Sequence, residues 1–299
     1  MSMYPQLLAE HFYVLGHPYF QTYLIMGKNK SALVEMGISA TAGCIIKQLS
    51  SLGVSPDYLI ITHPHSDHIC GLDALKKAFP DASVVAGNGA AAFLSHPKAV
   101  DSLIWEDRHM ASFMSKQGFV FGQPAIECFS SLSGCQTVTD GEVFDLGGMN
   151  LHFLDAKGHA PGSLLVLVAE LNALLVSDSL GYRISGKRFF PIFFTGYAEY
   201  METINIIAAL NPEIIGMAHH GFMRGPDVQK TICEARAAAE AVMARIVRDT
   251  REDDLVAQGL FQDYYRDELT LYTKENILVC CRLLVRRARE YHNAQHHNK

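Results

Sequence analysis

The sequence predicts an α/β protein with a helical C-terminal extension, on three observations. Short strand-like apolar runs alternate with helical patterns up to Ala218, the run Tyr58–Ile61 is apolar throughout, and beyond Pro226 the pattern is helical alone. A continuous apolar run of this length is what a strand buried on both faces requires. With 299 residues, 49% of them hydrophobic and 19% charged, the chain can bury one large core with an appendage. We expect a core domain over 1–225, interrupted by a helical cover at 97–118, and a helical extension over 226–299.

Runs at 12–15, 22–26 and 32–35, punctuated by Gly27 and Gly37, read as antiparallel strands at a sheet edge. Ile45, Ile46, Leu49 and Leu52 recur at helical spacing, which predicts a helix over 41–52 stopped by Gly53. The buried strand at 58–61 then breaks into a polar loop at 62–68. A helix at 71–79, a strand at 83–86 and a helix at 88–95 follow, and Trp105, Met110, Phe113 and Met114 supply the apolar side of the cover. Strands at 142–144, 150–154, 163–168 and 173–177 precede a helix at 199–210 and a strand at 213–218. In the extension, Val228, Ile232, Ala235, Ala239, Val242 and Ile246 form one apolar stripe, and Ile277, Cys281, Leu284 and Ala288 a second. Such stripes pack within the chain or, alternatively, form a homodimer interface.

Net charge of −6 provides no positive field to collect phosphate backbones, so a nucleic-acid partner is not expected. The chain lacks an 18-residue apolar run and a basic start followed by an apolar stretch, so a soluble cytoplasmic protein with no membrane partner is expected. The seven cysteines contain no C-x-x-C pair and are expected to be reduced.

The segment 62–71, THPHSDHICG, places three imidazoles and one carboxylate within six residues, directly after the buried strand. In a loop, His63 and His65 can turn to one centre while Asp67 and His68 are displaced toward a second, so two neighbouring metal ions are the natural reading. Further ligands are offered by His159 in AKGHAPGS, Asp178 in LLVSDSLG and His220 in GMAHHG, all beyond predicted strand ends, where loops of an α/β fold gather. His219 is an alternative to His220. Imidazole and carboxylate donors suit two divalent ions, zinc or iron.

These motifs carry a resemblance. The chain resembles the metallo-β-lactamase superfamily over roughly residues 10–225, with H-x-H-x-D-H intact at His63, His65, Asp67 and His68 and the later single motifs matched at His159, Asp178 and His220. The resemblance implies a four-layered αβ/βα sandwich with the site at the strand edge. It also implies one metal held by His63, His65 and His159, a second by Asp67, His68 and His220, and Asp178 bridging them. A ligand before glycine favours His220 over His219. Within the superfamily the chain is most similar to the thioester-hydrolysing members, glyoxalase II and the quinolone-signal thioesterase, in its helical extension and its aromatic stretch FFPIFFTGYAEYMETI. His65 stands where the redox di-iron branch has glutamate, and Asp178 where one antibiotic-hydrolysing branch has cysteine.

The expected reaction is hydrolysis of a small ester or thioester by a metal-bridging hydroxide, with Asp67 orienting the nucleophile or moving a proton. Tyr182, Phe190, Phe193, Phe194 and Tyr197 are candidates for a pocket holding an acyl substrate, or are simply core. Arg282, Arg286, Arg287 and Arg289 form a solvated basic face or a docking site for an anionic substrate tail. The alternatives are a phosphodiesterase or lactonase of the same superfamily, or a regulatory protein that keeps the metal site and acts through a protein partner.

Overall fold

The structure is a computed structural model that describes residues 4–119, 124–130, 132–184 and 188–297. In chain order its elements are β1 (Gln6–Ala9), β2 (Phe12–His17), β3 (Phe20–Met26), β4 (Ser31–Val34), α1 (Ser39–Ser51), β5 (Tyr58–Ile61), α2 (Ser66–Ile69), α3 (Leu72–Ala78), β6 (Ser83–Gly87), α4 (Ala90–Leu94) and α5 (Pro97–Lys116). There follow β7 (Gln136–Val138), β8 (Val143–Asp145), β9 (Asn150–Asp155), β10 (Leu164–Val168), β11 (Ala173–Ser177), β12 (Tyr182–Ile184), β13 (Arg188–Phe190), α6 (Tyr197–Leu210), β14 (Ile214–Met217), β15 (Phe222–Arg224), α7 (Pro226–Arg248), α8 (Asp253–Tyr264) and α9 (Lys274–His297). The chain divides into two compact units, the first comprising residues up to 155, 161–177 and 213–222, the second 156–160, 178–212 and 223 onward. The second unit thus takes two segments, 156–160 and 178–212, that precede its main run.

Two sheets build the first unit. One runs β1 to β7 in sequence order, antiparallel as far as β4 and parallel from β4 to β7. The other has the order β15-β14-β11-β10-β9-β8, with β11 and β14 parallel. Strand alternation explains how they pack. Tyr23, Ile25, Val34 and Ile60 point into a core shared with Phe153, Val166 and Leu175 of the second sheet. Their neighbours Leu24, Leu33, Leu59 and Ile61 point the other way, against Ala42, Ile45 and Leu49 of α1 and Leu72 and Leu75 of α3. The first unit is therefore a succession of helices, sheet and sheet, and the apolar run of β5 follows from burial on both faces.

Two expectations need correction here. The polar run after β5 is not all loop, because Ser66–Ile69 forms the single helical turn α2. The cover is one helix, α5, but Trp105 is 63% exposed and lies off its packed side, which includes Leu103, Asp107, Met110 and Met114. Those four recur at intervals of four, three and four, the step of a helix face. Asp107 is buried and accepts hydrogen bonds from Ser39 N at 2.9 Å and Ile126 N at 3.1 Å, tying α5 to the start of α1. Burial pushes its carboxyl pKa up against these bonds.

The second unit joins the hairpin β12–β13, with Tyr182 opposite Phe190, to α6, α7, α8 and α9. Both expected stripes are buried, Val228 to Ile246 on α7 and Ile277 to Ala288 on α9. The basic face of α9 is engaged within the unit. Arg282 pairs with Asp254 at 2.7 Å, Arg289 with Asp253 at 2.8 Å and Arg286 with Glu290 at 2.8 Å. These pairs are exposed and contribute little stability individually. None of the described helices is long and apolar enough to cross a membrane.

Candidate metal centre

The chemistry-bearing residues of the first unit sit where parallel strands end. Glu35 follows β4, Thr62 and His63 follow β5, and His219 lies two residues beyond β14. Because β4 and β5 are in parallel register, with Val34 beside Ile60, their carboxyl ends release side chains at one edge. The backbone there is unusual: Glu35, Ser177 and His220 all adopt positive φ, at 71°, 47° and 56°. Non-glycine residues in this region carry a cost of about 1–3 kcal/mol each and cluster at functional sites.

Asp67, His68 and His219 are buried, and each offers a ligand atom within 4.8 Å of the others. Asp67 Oδ2 lies 3.2 Å from His219 Nε2 and 3.4 Å from His68 Nε2. His63 Nε2 and His65 Nδ1 are 3.1 Å apart. Donors about 2.0–2.2 Å from one tetrahedral ion stand roughly 3.3 Å from each other, so these separations fit ligands of divalent metal. Burial works against ionisation of Asp67, yet His68 and His219 hold its carboxyl well below the usual carboxylate range.

The far sides of the imidazoles are fixed. His68 Nδ1 donates to Glu35 Oε2 at 2.9 Å, and His219 Nδ1 to the Tyr19 carbonyl at 2.5 Å, which leaves each Nε2 turned to the cluster. Thr62 Oγ1 donates to the other Glu35 oxygen at 2.7 Å and contacts Ser177 Oγ at 3.0 Å. Sequence reasoning missed Glu35; an acid ending an apolar strand was the available signal. Since partners of this kind are typically worth about 10–100-fold in metal affinity, Glu35→Gln should weaken zinc binding by that factor in a competition titration against a chromophoric chelator. An unchanged dissociation constant would remove Glu35 from this role.

The sequence reading placed His220 in the cluster; the structure brings His219 there instead. Gln21 N donates to the Ala218 carbonyl at 2.8 Å, so the chain beyond β14 is tied to β3 one residue before His219. His220 then turns at positive φ, and its ring meets Tyr19 edge-on at 5.3 Å. Side chains alternate in extended chain, and a shift of one residue changes face.

In the second unit, His159 Nε2 lies 3.6 Å from Asp178 Oδ2, both buried. His159 Nδ1 donates to the Ile192 carbonyl at 3.0 Å, the arrangement seen at His68 and His219. Of the candidate pocket residues, Tyr182, Phe190 and Phe193 are buried, ringed by Tyr272 at 5.7 Å, Tyr264 at 4.9 Å and Tyr197 at 5.2 Å respectively. Phe194 and Tyr197 are half-buried, and the Phe194 ring lies 5.4 Å from that of His159.

Paired sheets with buried histidine and aspartate at the carboxyl ends of parallel strands define a metal-binding α/β sandwich. The chain belongs to the metallo-beta-lactamase superfamily, whose family model matches residues 21–219. It is 26% identical over 204 residues to a metallo-beta-lactamase fold-containing protein of Sulfurisphaera tokodaii, covering 67% of this chain and 72% of that one. It is likewise 26% identical over 198 residues to the hydroxyacylglutathione hydrolase GloC of Haemophilus influenzae, covering 65% and 81%. Among solved structures, a metallo-beta-lactamase family protein of Thermus thermophilus matches with TM-score 0.68 at 18% identity, covering 96% of this chain and 95% of that one.

Proposed function

We propose that the protein is a metal-dependent hydrolase of a small ester or thioester. In this reading divalent ions, zinc or iron, would be held by His63, His65, Asp67, His68 and His219 in the first unit and by His159 and Asp178 in the second. The observation that carries it is the buried group Asp67, His68 and His219, whose donors stand at ligand-to-ligand distance and whose two imidazoles are locked from behind. Bound there, divalent ions would supply acidified water and polarisation of an acyl carbonyl.

The chain's own residues supply the rest. Asp67, whose Oδ2 lies 3.2 Å from His219 Nε2 and 3.4 Å from His68 Nε2, would orient the attacking water. A thiolate leaves without prior protonation, so one such group suffices for a thioester. Phe194, half-buried beside His159, offers an apolar surface to the acyl part of the substrate. A relative named hydroxyacylglutathione hydrolase supports this class.

The test is a substrate panel on protein whose metal content has been measured. About two equivalents of metal, with acyl thioesters turned over, inhibited by chelation and restored by added ion, is the expected result. Turnover of lactones or phosphodiesters alone would replace the substrate class. Turnover of none, together with loss of a protein partner on deleting the helical extension, would replace catalysis by a regulatory role.

A further inference from the structure

The second unit ties its ligand loop to the C-terminal helix through a short chain of bonds. The carbonyl of Gly158, next to His159, accepts Thr195 N at 3.0 Å and Gly196 N at 3.4 Å. On the other side His159 Nδ1 reaches the Ile192 carbonyl. The strip 192–196 is thus bonded to the loop 158–159 at both ends, with Phe194 between, its ring tilted 42° against the imidazole at 5.4 Å. One carbonyl of that strip, Phe194 O, is taken by Arg287 Nε of α9 at 3.0 Å. Arg287 is only 25% exposed, and its Nη1 is held by Glu290 at 2.7 Å, so the guanidinium is oriented as it meets the strip. Beside it Tyr291 of α9 packs on Tyr197 with ring centroids 5.0 Å apart.

We propose that Arg287 is a positioning residue: by fixing the Phe194 carbonyl it holds the Phe194 ring against the His159 imidazole, where that ring sets how long an acyl chain the enzyme accepts. This rests on the acyl-hydrolase reading above. It gives the helical extension a definite part in specificity, because the half of Phe194 left uncovered is the half a chain would lie on, and a ring free to swing would offer no fixed surface. The basic face of α9 then acts through one guanidinium aimed inward, and not by attracting an anionic tail.

The experiment compares Phe194→Ala, Arg287→Ala, Arg287→Lys and Glu290→Gln on two readouts. The first needs no turnover: the ring-proton shifts of His159 in 13C-labelled protein, which sense the current of an aromatic ring lying nearby. Phe194→Ala abolishes that contribution, Arg287→Ala should move the signal most of the way to the same position, and Arg287→Lys and Glu290→Gln, which keep a donor on the carbonyl, should stay near the native value. The second is KM across short, medium and long straight-chain acyl thioesters. Phe194→Ala should raise KM for the long chains about tenfold, roughly two methylene groups' worth of lost contact, and raise it less as the chain shortens. Arg287→Ala should do the same, and the double variant should be no worse than Phe194→Ala. A native His159 signal in Arg287→Ala, a lysine variant no better than alanine, or additive losses in the double variant would each overturn the proposal. If the native enzyme hydrolyses no thioester of any length, the acyl-hydrolase reading falls, while the His159 shifts still decide whether Arg287 positions Phe194.

Discussion

If His219 ligates the ion as proposed, His219→Ala should leave the protein folded with less bound metal and should lower kcat/KM by at least ~100-fold, because a direct ligand counts for more than the outer partners whose loss already costs up to that factor. His220→Ala, one residue away, should keep full metal content and activity within a few-fold. Its ring is edge-on to Tyr19, a contact of ~0.5–1.5 kcal/mol that bears on stability. The contrast follows from where each imidazole is tethered. His219 is anchored by Tyr19 O and faces Asp67 Oδ2 at 3.2 Å, in a group completed by His68. Metal analysis after gel filtration, run beside kcat/KM for both variants, checks it. The reverse outcome, with His220→Ala losing metal, would restore the assignment drawn from the glycine that follows.

That pair of histidines marks the limit of what the sequence discloses. The motif at 62–68 was legible because its residue types are rare together, and the strands were legible because burial on two faces leaves a continuous apolar run, as in β5. Adjacent identical residues carry no signal of which one faces inward; that depends on where the chain beyond β14 is tied down, which here is at Gln21 N on the Ala218 carbonyl, nearly two hundred residues away in sequence. Glu35 was obscured for a related reason, since its partner His68 comes from the helical turn α2, more than thirty residues on. The hairpin β12–β13 is too short to show a period. The reach of the second unit back to 156–160 and 178–212 also lies beyond periodicity, because the bonds that create it, such as Arg287 to the Phe194 carbonyl, join residues far apart in the chain.

Gly158→Ala should be the most damaging small substitution in the second unit. Gly158 sits at φ 99°, and a methyl group there would collide with both N and Cα of Tyr200. Tyr200 is fully buried at the first turn of α6, so it cannot retreat. Backbone strain of ~1–3 kcal/mol adds to overpacking of ~1–3 kcal/mol. Against a typical stability of about 5–15 kcal/mol this is a large loss, and Tm should fall by on the order of 10 °C. The loop can relieve the clash only by lifting away, which breaks the bond from Thr203 Oγ1 to the Lys157 carbonyl at 2.9 Å and those from Thr195 and Gly196 to Gly158 O. His159 travels with it, so the surviving folded fraction should lose activity out of proportion to its loss of stability. Thermal unfolding measured beside specific activity per folded molecule separates the two effects. A variant with native Tm and native activity would mean that the loop is not pinned on Tyr200, and the rigid placement of His159 would have to come from its bond to Ile192 O alone.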